Sequence, residues 1–107
     1  MALRLPGSIT VERAAVATGL QPIELEIMGE MASSLGHAGR RVEAAMANLQ
    51  SSEAPPGSAD RDLLLKAAAK AVHAYFIQRE LCGLRRHDDV IREMRIPRAV
   101  LVRLGAL

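Results

Sequence analysis

Residues 28–49 carry the pattern that most constrains this chain. Met28, Met31, Leu35, Ala38, Val42, Ala45 and Leu49 are apolar or small and fall alternately three and four residues apart. That spacing predicts an α-helix with one unbroken heptad seam. Pro22 suits the first position of such a helix, where a missing N–H costs nothing. Glu24 and Glu26 favour its positive end. The helix is expected to stop by Gln50, because "SSEAPPGS" at 51–58 reads as a loop.

Three glycines, Gly29, Gly36 and Gly39, lie inside that helix. Each costs about 1 kcal/mol relative to alanine, a large sum against the ~5–15 kcal/mol that holds a domain together. Two explanations offer themselves. Another backbone approaches closely, or the helix breaks at "GHAG" (36–39). Length bears on the choice. A helix from 22 to 50 spans about 43 Å, whereas a compact globule of this size has a radius of gyration of about 13 Å and a diameter of about 34 Å. A matching helix from a second copy would cover the overhang. Met28, Met31, Leu35, Ala38, Val42, Ala45 and Leu49 are therefore the expected dimer interface. The plainer alternative is a hairpin within one chain, and two hairpins make a four-helix bundle.

Composition points the same way. Half of the 107 residues are apolar, but 18 are alanine and only Tyr75 and Phe76 are aromatic. Buried area drives folding at roughly 25 cal/mol per Å², and alanine buries little. A thin core of this kind is commonly completed by a second chain. The length fits a single helical domain over 1–107. Residues 1–20 are expected to be weakly ordered. Within them Ser8 or Thr10 could cap a short helix ended by Gly19, and "SITV" reads equally well as extended.

Beyond the loop, Ser58 or Asp60 can cap a second long helix that runs through "LLLKAAAKAVHAYFIQRELC". Gly83 follows, placed as its left-handed terminator. A short helix is expected over 88–94, capped by an aspartate. Ile96 precedes proline and is biased to extended geometry. Pro97 then opens a last short helix that ends at Gly105. The fold class is all-α: a long antiparallel helical hairpin plus two short C-terminal helices, forming a homodimeric bundle.

The stretch "YFIQRELCGLRRHDD" (75–89) holds the only tyrosine, phenylalanine and cysteine, with His87, Asp88 and Asp89 at its end. It reads as a packed junction. Tyr75, Phe76, Leu84, Ile91, Val100, Leu101 and Leu104 are expected in one cluster, with Leu84 tucked inward. Arg79 and Glu80 are expected to make the polar contacts that fix the angle between the helices.

Chemistry finds little support. His73, Cys82, His87, Asp88 and Asp89 are ligand types, but their spacing matches no compact metal pattern and there is no second cysteine. Cys82 sits at a helix C-terminus, a poor place for a thiolate. No phosphate-binding glycine loop or nucleophile motif occurs. No catalytic residue, cofactor or metal is implied.

Charge is uneven. Residues 1–78 carry seven basic and eight acidic groups, and residues 79–107 carry seven arginines and four acids. "DDVIREMRIPRAVLVRL" (88–104) has the outline of a helix-turn-helix. Arg86, Arg92, Arg95, Arg98 and Arg103 would meet phosphates under that reading. Its second helix, "AVLVRL", leaves almost no polar face for base edges, which argues against nucleic acid. The expected alternative is that the seven arginines between 79 and 103 solvate the outside and pair with Glu80, Asp88, Asp89 and Glu93.

"LEIMGEMASSLGHAGRRVE" (25–43) and "YFIQRELCGLRRHDDVIREMRIPRAVLVRLG" (75–105) resemble a small family of uncharacterised helical proteins from rhizobia and related alphaproteobacteria, a domain of unknown function. The two blocks cover roughly half of the chain. The resemblance implies a bacterial, cytoplasmic, helical protein and brings no catalytic residues. A lone cysteine fits a reducing compartment, and no signal peptide or membrane span is apparent. The expected role is a non-enzymatic homodimer and protein-interaction module, with a further protein partner left open. The alternative is a weak nucleic-acid-binding regulator.

Overall fold

A computed structural model describes residues 13, 16, 17 and 19–104. Four helices follow one another: α1 (Pro22–Ser51), α2 (Ala59–Leu81), α3 (Asp88–Glu93) and α4 (Arg98–Leu101). No strand occurs among the described residues. The expectations for Ser8, Thr10, "SITV" and Gly105 lie outside the described residues.

The chain divides into two compact units, Met1–Ser33 and Ser34–Leu107. In the first, the amide of Leu25 donates to the Gln21 carbonyl at 3.1 Å as α1 begins. Ile23 is 63% exposed, Ile27 51% and Met28 54%. Met31 is half-buried.

The second unit holds the core. Val42, Met46 and Leu49 from α1 meet Leu65, Ala68, Ala69 and Val72 from α2, with Ile96 and Val100 from the C-terminal segment. Val42, Ala68, Ala69, Val72 and Val100 are fully buried. The helices run antiparallel for a legible reason. Arg61, at the start of α2, donates from Nη1 to the Leu49 carbonyl at the end of α1, 2.9 Å away. Tyr75, further along α2, lies against Gly39, further back along α1. The Arg61 contact also satisfies one of the carbonyls that a helix end leaves without an intrahelical partner.

α1 is continuous through "GHAG". The glycines are therefore not a break. A β-carbon built on Gly39 would stand 3.4 Å from Tyr75 Cε1, and one on Gly29 would meet nothing within 4 Å. One on Gly36 would meet only the Arg40 guanidinium of the same helix, at 3.3 Å. Gly39 alone of the three faces another helix, and what it meets there is a ring edge and not a second backbone.

The helix ends follow local chemistry. Ser58 is the α2 N-cap, and its hydroxyl accepts from the Arg61 amide at 3.1 Å. α2 closes in a Schellman turn: the Leu84 amide donates to the Arg79 carbonyl at 2.9 Å and the Gly83 amide to the Glu80 carbonyl at 3.0 Å, with Gly83 at φ +88°. α3 closes in the same way, Ile96 to Ile91 at 3.0 Å and Arg95 to Arg92 at 3.2 Å. There the left-handed position is taken by Arg95 at φ +53°.

Candidate functional site

The polar centre of the second unit is the turn between α2 and α3. Arg79 sits in the last turn of α2 and is only 7% exposed. A charge is buried at a cost unless its donors are used. Here they are. Nε donates to His87 Nδ1 at 3.1 Å and Nη2 to the Arg86 carbonyl at 2.8 Å. Nη2 also approaches Asp89 Oδ1 at 3.5 Å. The guanidinium carbon lies 5.8 Å from the Tyr75 ring centroid, within cation–π range.

His87 completes the lock. Its ring stacks on Phe76 with centroids 4.1 Å apart and planes 4° from parallel. Its Nε2 lies 3.0 Å from Glu80 Oε2. A guanidinium nitrogen only donates, so Nδ1 must accept. The proton then sits on Nε2 and points at Glu80. The result is a chain of contacts, Arg79 to His87 to Glu80, that ties two successive elements to each other.

An aspartate was expected to cap α3. His87 holds that position instead, and it makes no side-chain cap bond. Its ring is committed to Arg79, Phe76 and Glu80. Asp88 and Asp89 lie in the first turn of α3, where negative charge suits the helix dipole.

This arrangement is mechanical in character. Both ring nitrogens of His87 are engaged, so neither offers a lone pair to a metal or a substrate proton. His73 is exposed and Cys82 half-buried. Among the described residues no three His, Cys, Asp or Glu side chains stand close enough to hold a metal ion. No described helix is long and apolar enough to cross a membrane.

Tyr75, Phe76, Ile91, Leu101 and Leu104 pack as half-buried residues against the cluster that contains Val100. Leu84 does not join them; it is 43% exposed. The cause is its partner in the turn. A Schellman motif packs the residue after the left-handed position on the residue five before it. For Ile96 that residue is Ile91, and Ile96 is buried. For Leu84 it is Arg79, whose stem carries a charge engaged elsewhere.

Along the α1 seam, Ala38, Val42 and Leu49 are buried, Met31, Leu35 and Ala45 are half-buried, and Met28 is exposed.

An open cleft of about 500 Å³ adjoins the lock, lined in part by Arg79, Arg85, Arg86, Arg92, Asp88 and Asp89. Arg86, Arg92, Arg95 and Arg98 are exposed and form no ion pair among the described residues. The solvated arginine face that was expected is present, and one expected pair forms, Arg79 with Asp89. Glu80 is held by His87 instead, and Asp88 and Glu93 pair with no arginine among the described residues. Arg103 meets Asp62 at 3.3 Å and the Ala99 carbonyl at 2.7 Å.

No curated protein and no solved structure matches the chain. A family profile does, over residues 3–107, nearly the whole sequence. The chain belongs to that family, DUF6665, described as a family of unknown function.

Proposed function

We propose that the chain is a non-enzymatic interaction module that works as a homodimer in a bacterial, alphaproteobacterial cytoplasm. The observation that carries the reading is uncovered apolar surface. Ile23, Ile27 and Met28 on α1, and Leu63, Ile77 and Leu81 on α2, are all at least 45% exposed. Scattered apolar residues are ordinary on a surface, but rows of them on long helices mark a face that meets protein. The engaged state of His87 supports a non-enzymatic role. The α1 seam expected as the dimer interface does not carry this reading, because Val42 and Leu49 pack on α2 of the same chain; a dimeric bundle would form through the apolar rows left uncovered. Molar mass by light scattering over a concentration series tests it. A mass rising towards twice 11.5 kDa is expected, and a constant single-chain mass would sink the reading.

One observation favours a second reading, a weak nucleic-acid-binding regulator: Arg86, Arg92, Arg95 and Arg98 are exposed without ion-pair partners. Asp88 and Asp89 on the wall of the cleft oppose it. Retarded DNA migration at low salt, lost steeply as salt rises, is what that reading requires.

A further inference from the structure

The outer side of α2 carries a second apolar stripe, opposite the one that faces the core. Leu63, Ala67, Lys70, Ala74, Ile77 and Leu81 recur at intervals of four, three, four, three and four residues. At 3.6 residues per turn they share an arc of about 80°. All six are exposed, Leu63 at 66%, Ile77 at 45% and Leu81 at 65%. Leu65, Ala68, Ala69 and Val72, on the other side of the helix, are buried. A surface helix ordinarily turns a polar face to water. This one presents a heptad seam with a single charge in it.

We propose that this stripe is a self-association surface and that its occupant is α2 of a second copy, running antiparallel. The proposal rests on the homodimer reading and names the face that carries it. The stripe is complementary to itself about a two-fold axis that crosses it midway between Lys70 and Ala74. Leu63 falls opposite Leu81 of the second copy, Ala67 opposite Ile77, and Lys70 opposite Ala74. Each layer occurs twice. Large meets small in the middle layers, and the lysine stem lies over a methyl group while its ammonium reaches water.

The flanks agree. On one edge of the stripe lie Lys66, His73 and Glu80. Antiparallel pairing sets Lys66 beside Glu80 of the second copy, again twice, and His73 beside its own copy. Lys66 has no ion-pair partner among the described residues. Glu80 holds His87 through Oε2 alone, which leaves Oε1 for a second cation. On the other edge, Leu64, Ala71 and Gln78 carry no charge.

Two competing arrangements fare worse. Parallel pairing of α2 would set Lys70 on Lys70 and alanine on alanine, a charge clash beside voids. Pairing the first turns of α1 with themselves would oppose Glu24, Glu26 and Glu30 to the same three acids, with no basic residue over 22–33.

The size of the stripe sets the strength. It is about 27 Å long and about 10 Å wide, so on the order of 300 Å² per chain is covered. A stable interface covers about 800 Å² per partner. The dimer is therefore weak and dissociates on dilution.

The full chain, labelled with 15N, is followed by amide spectra over a dilution series, and dissociation constants of variants by sedimentation. The signals of Leu63, Ala67, Ala74, Ile77 and Leu81 are expected to move together with concentration, while those of Ile23, Ile27 and Met28 stay fixed. Leu81→Glu and, separately, Leu63→Glu raise the dissociation constant more than about tenfold. Lys70→Leu lowers it, and Ile27→Glu leaves it unchanged. Helicity and melting temperature check that each variant folds. Association that survives both α2 charge substitutions and is lost in Ile27→Glu overturns the proposal but leaves a homodimer standing. Absence of any concentration dependence overturns both.

Discussion

Replacing Arg79 by methionine removes the guanidinium and keeps most of the stem. The cost follows from what is left behind. His87 Nδ1 loses its donor in a ring that is only 14% exposed, and an unsatisfied buried acceptor costs about 1–3 kcal/mol. The Arg86 carbonyl loses a 2.8 Å bond, but Arg86 is an exposed residue and water can replace part of it, so about 1 kcal/mol is assigned there. The contact to Asp89 adds little, because that carboxylate is 62% exposed and exposed pairs contribute about 0–1 kcal/mol. The sum is a loss of about 2–4 kcal/mol. For a domain of this size each 1 kcal/mol lowers the melting temperature by about 4–8 °C, so a drop of about 8–32 °C is expected. Arg79→Lys keeps the charge but cannot span both acceptors, and should lose about half as much. Urea unfolding followed by circular dichroism measures both, with Arg85→Met as the exposed control. An Arg79→Met variant within about 0.5 kcal/mol of that control, the range of ordinary surface changes, would refute the view that this side chain locks the junction.

Further outcomes follow from the same geometry. The 15N shifts of His87 at alkaline pH should show a bare Nδ1 and a protonated Nε2; the reverse tautomer would contradict the Arg79 contact. Gly83→Ala should cost about 1 kcal/mol, because Gly83 sits at φ +88° where a β-carbon is strained. Arg95→Gly should gain up to about 1 kcal/mol for the same reason at φ +53°, and equal effects of one sign in the two melts would contradict both turn assignments. Ser58→Ala should cost about 1 kcal/mol through loss of the α2 cap, read in the same unfolding assay. Gly29→Ala should gain up to about 1 kcal/mol of helix propensity, since its side is open; a loss in stability or in dimer mass would instead reveal a backbone packed against it.

Much of the fold is written in local signals. Pro22, Ser58 and Gly83 mark helix ends by chemistry that acts within a few residues, and the structure uses each where it was expected. The aromatic cluster was legible because a chain with one tyrosine and one phenylalanine has few large side chains to bury. Other features were not. The α1 seam is one uniform pattern, yet Val42 is fully buried and Met28 is not; periodicity gives a face, not what lies over it. The outer stripe of α2 was hidden because "LLLKAAAKAV" interrupts its apolar residues only at Lys66 and Lys70, so its two stripes overlap in the sequence. The role of His87 depends on contacts seven, eight and eleven residues back, closed only by the Schellman turn, and no short pattern announces it.

The central proposal is that this chain pairs with itself. Sedimentation equilibrium of the full chain over a wide concentration range tests it most directly. The weight-average mass should climb from 11.5 kDa towards twice that value as concentration rises. A mass that stays at one chain throughout would contradict the account.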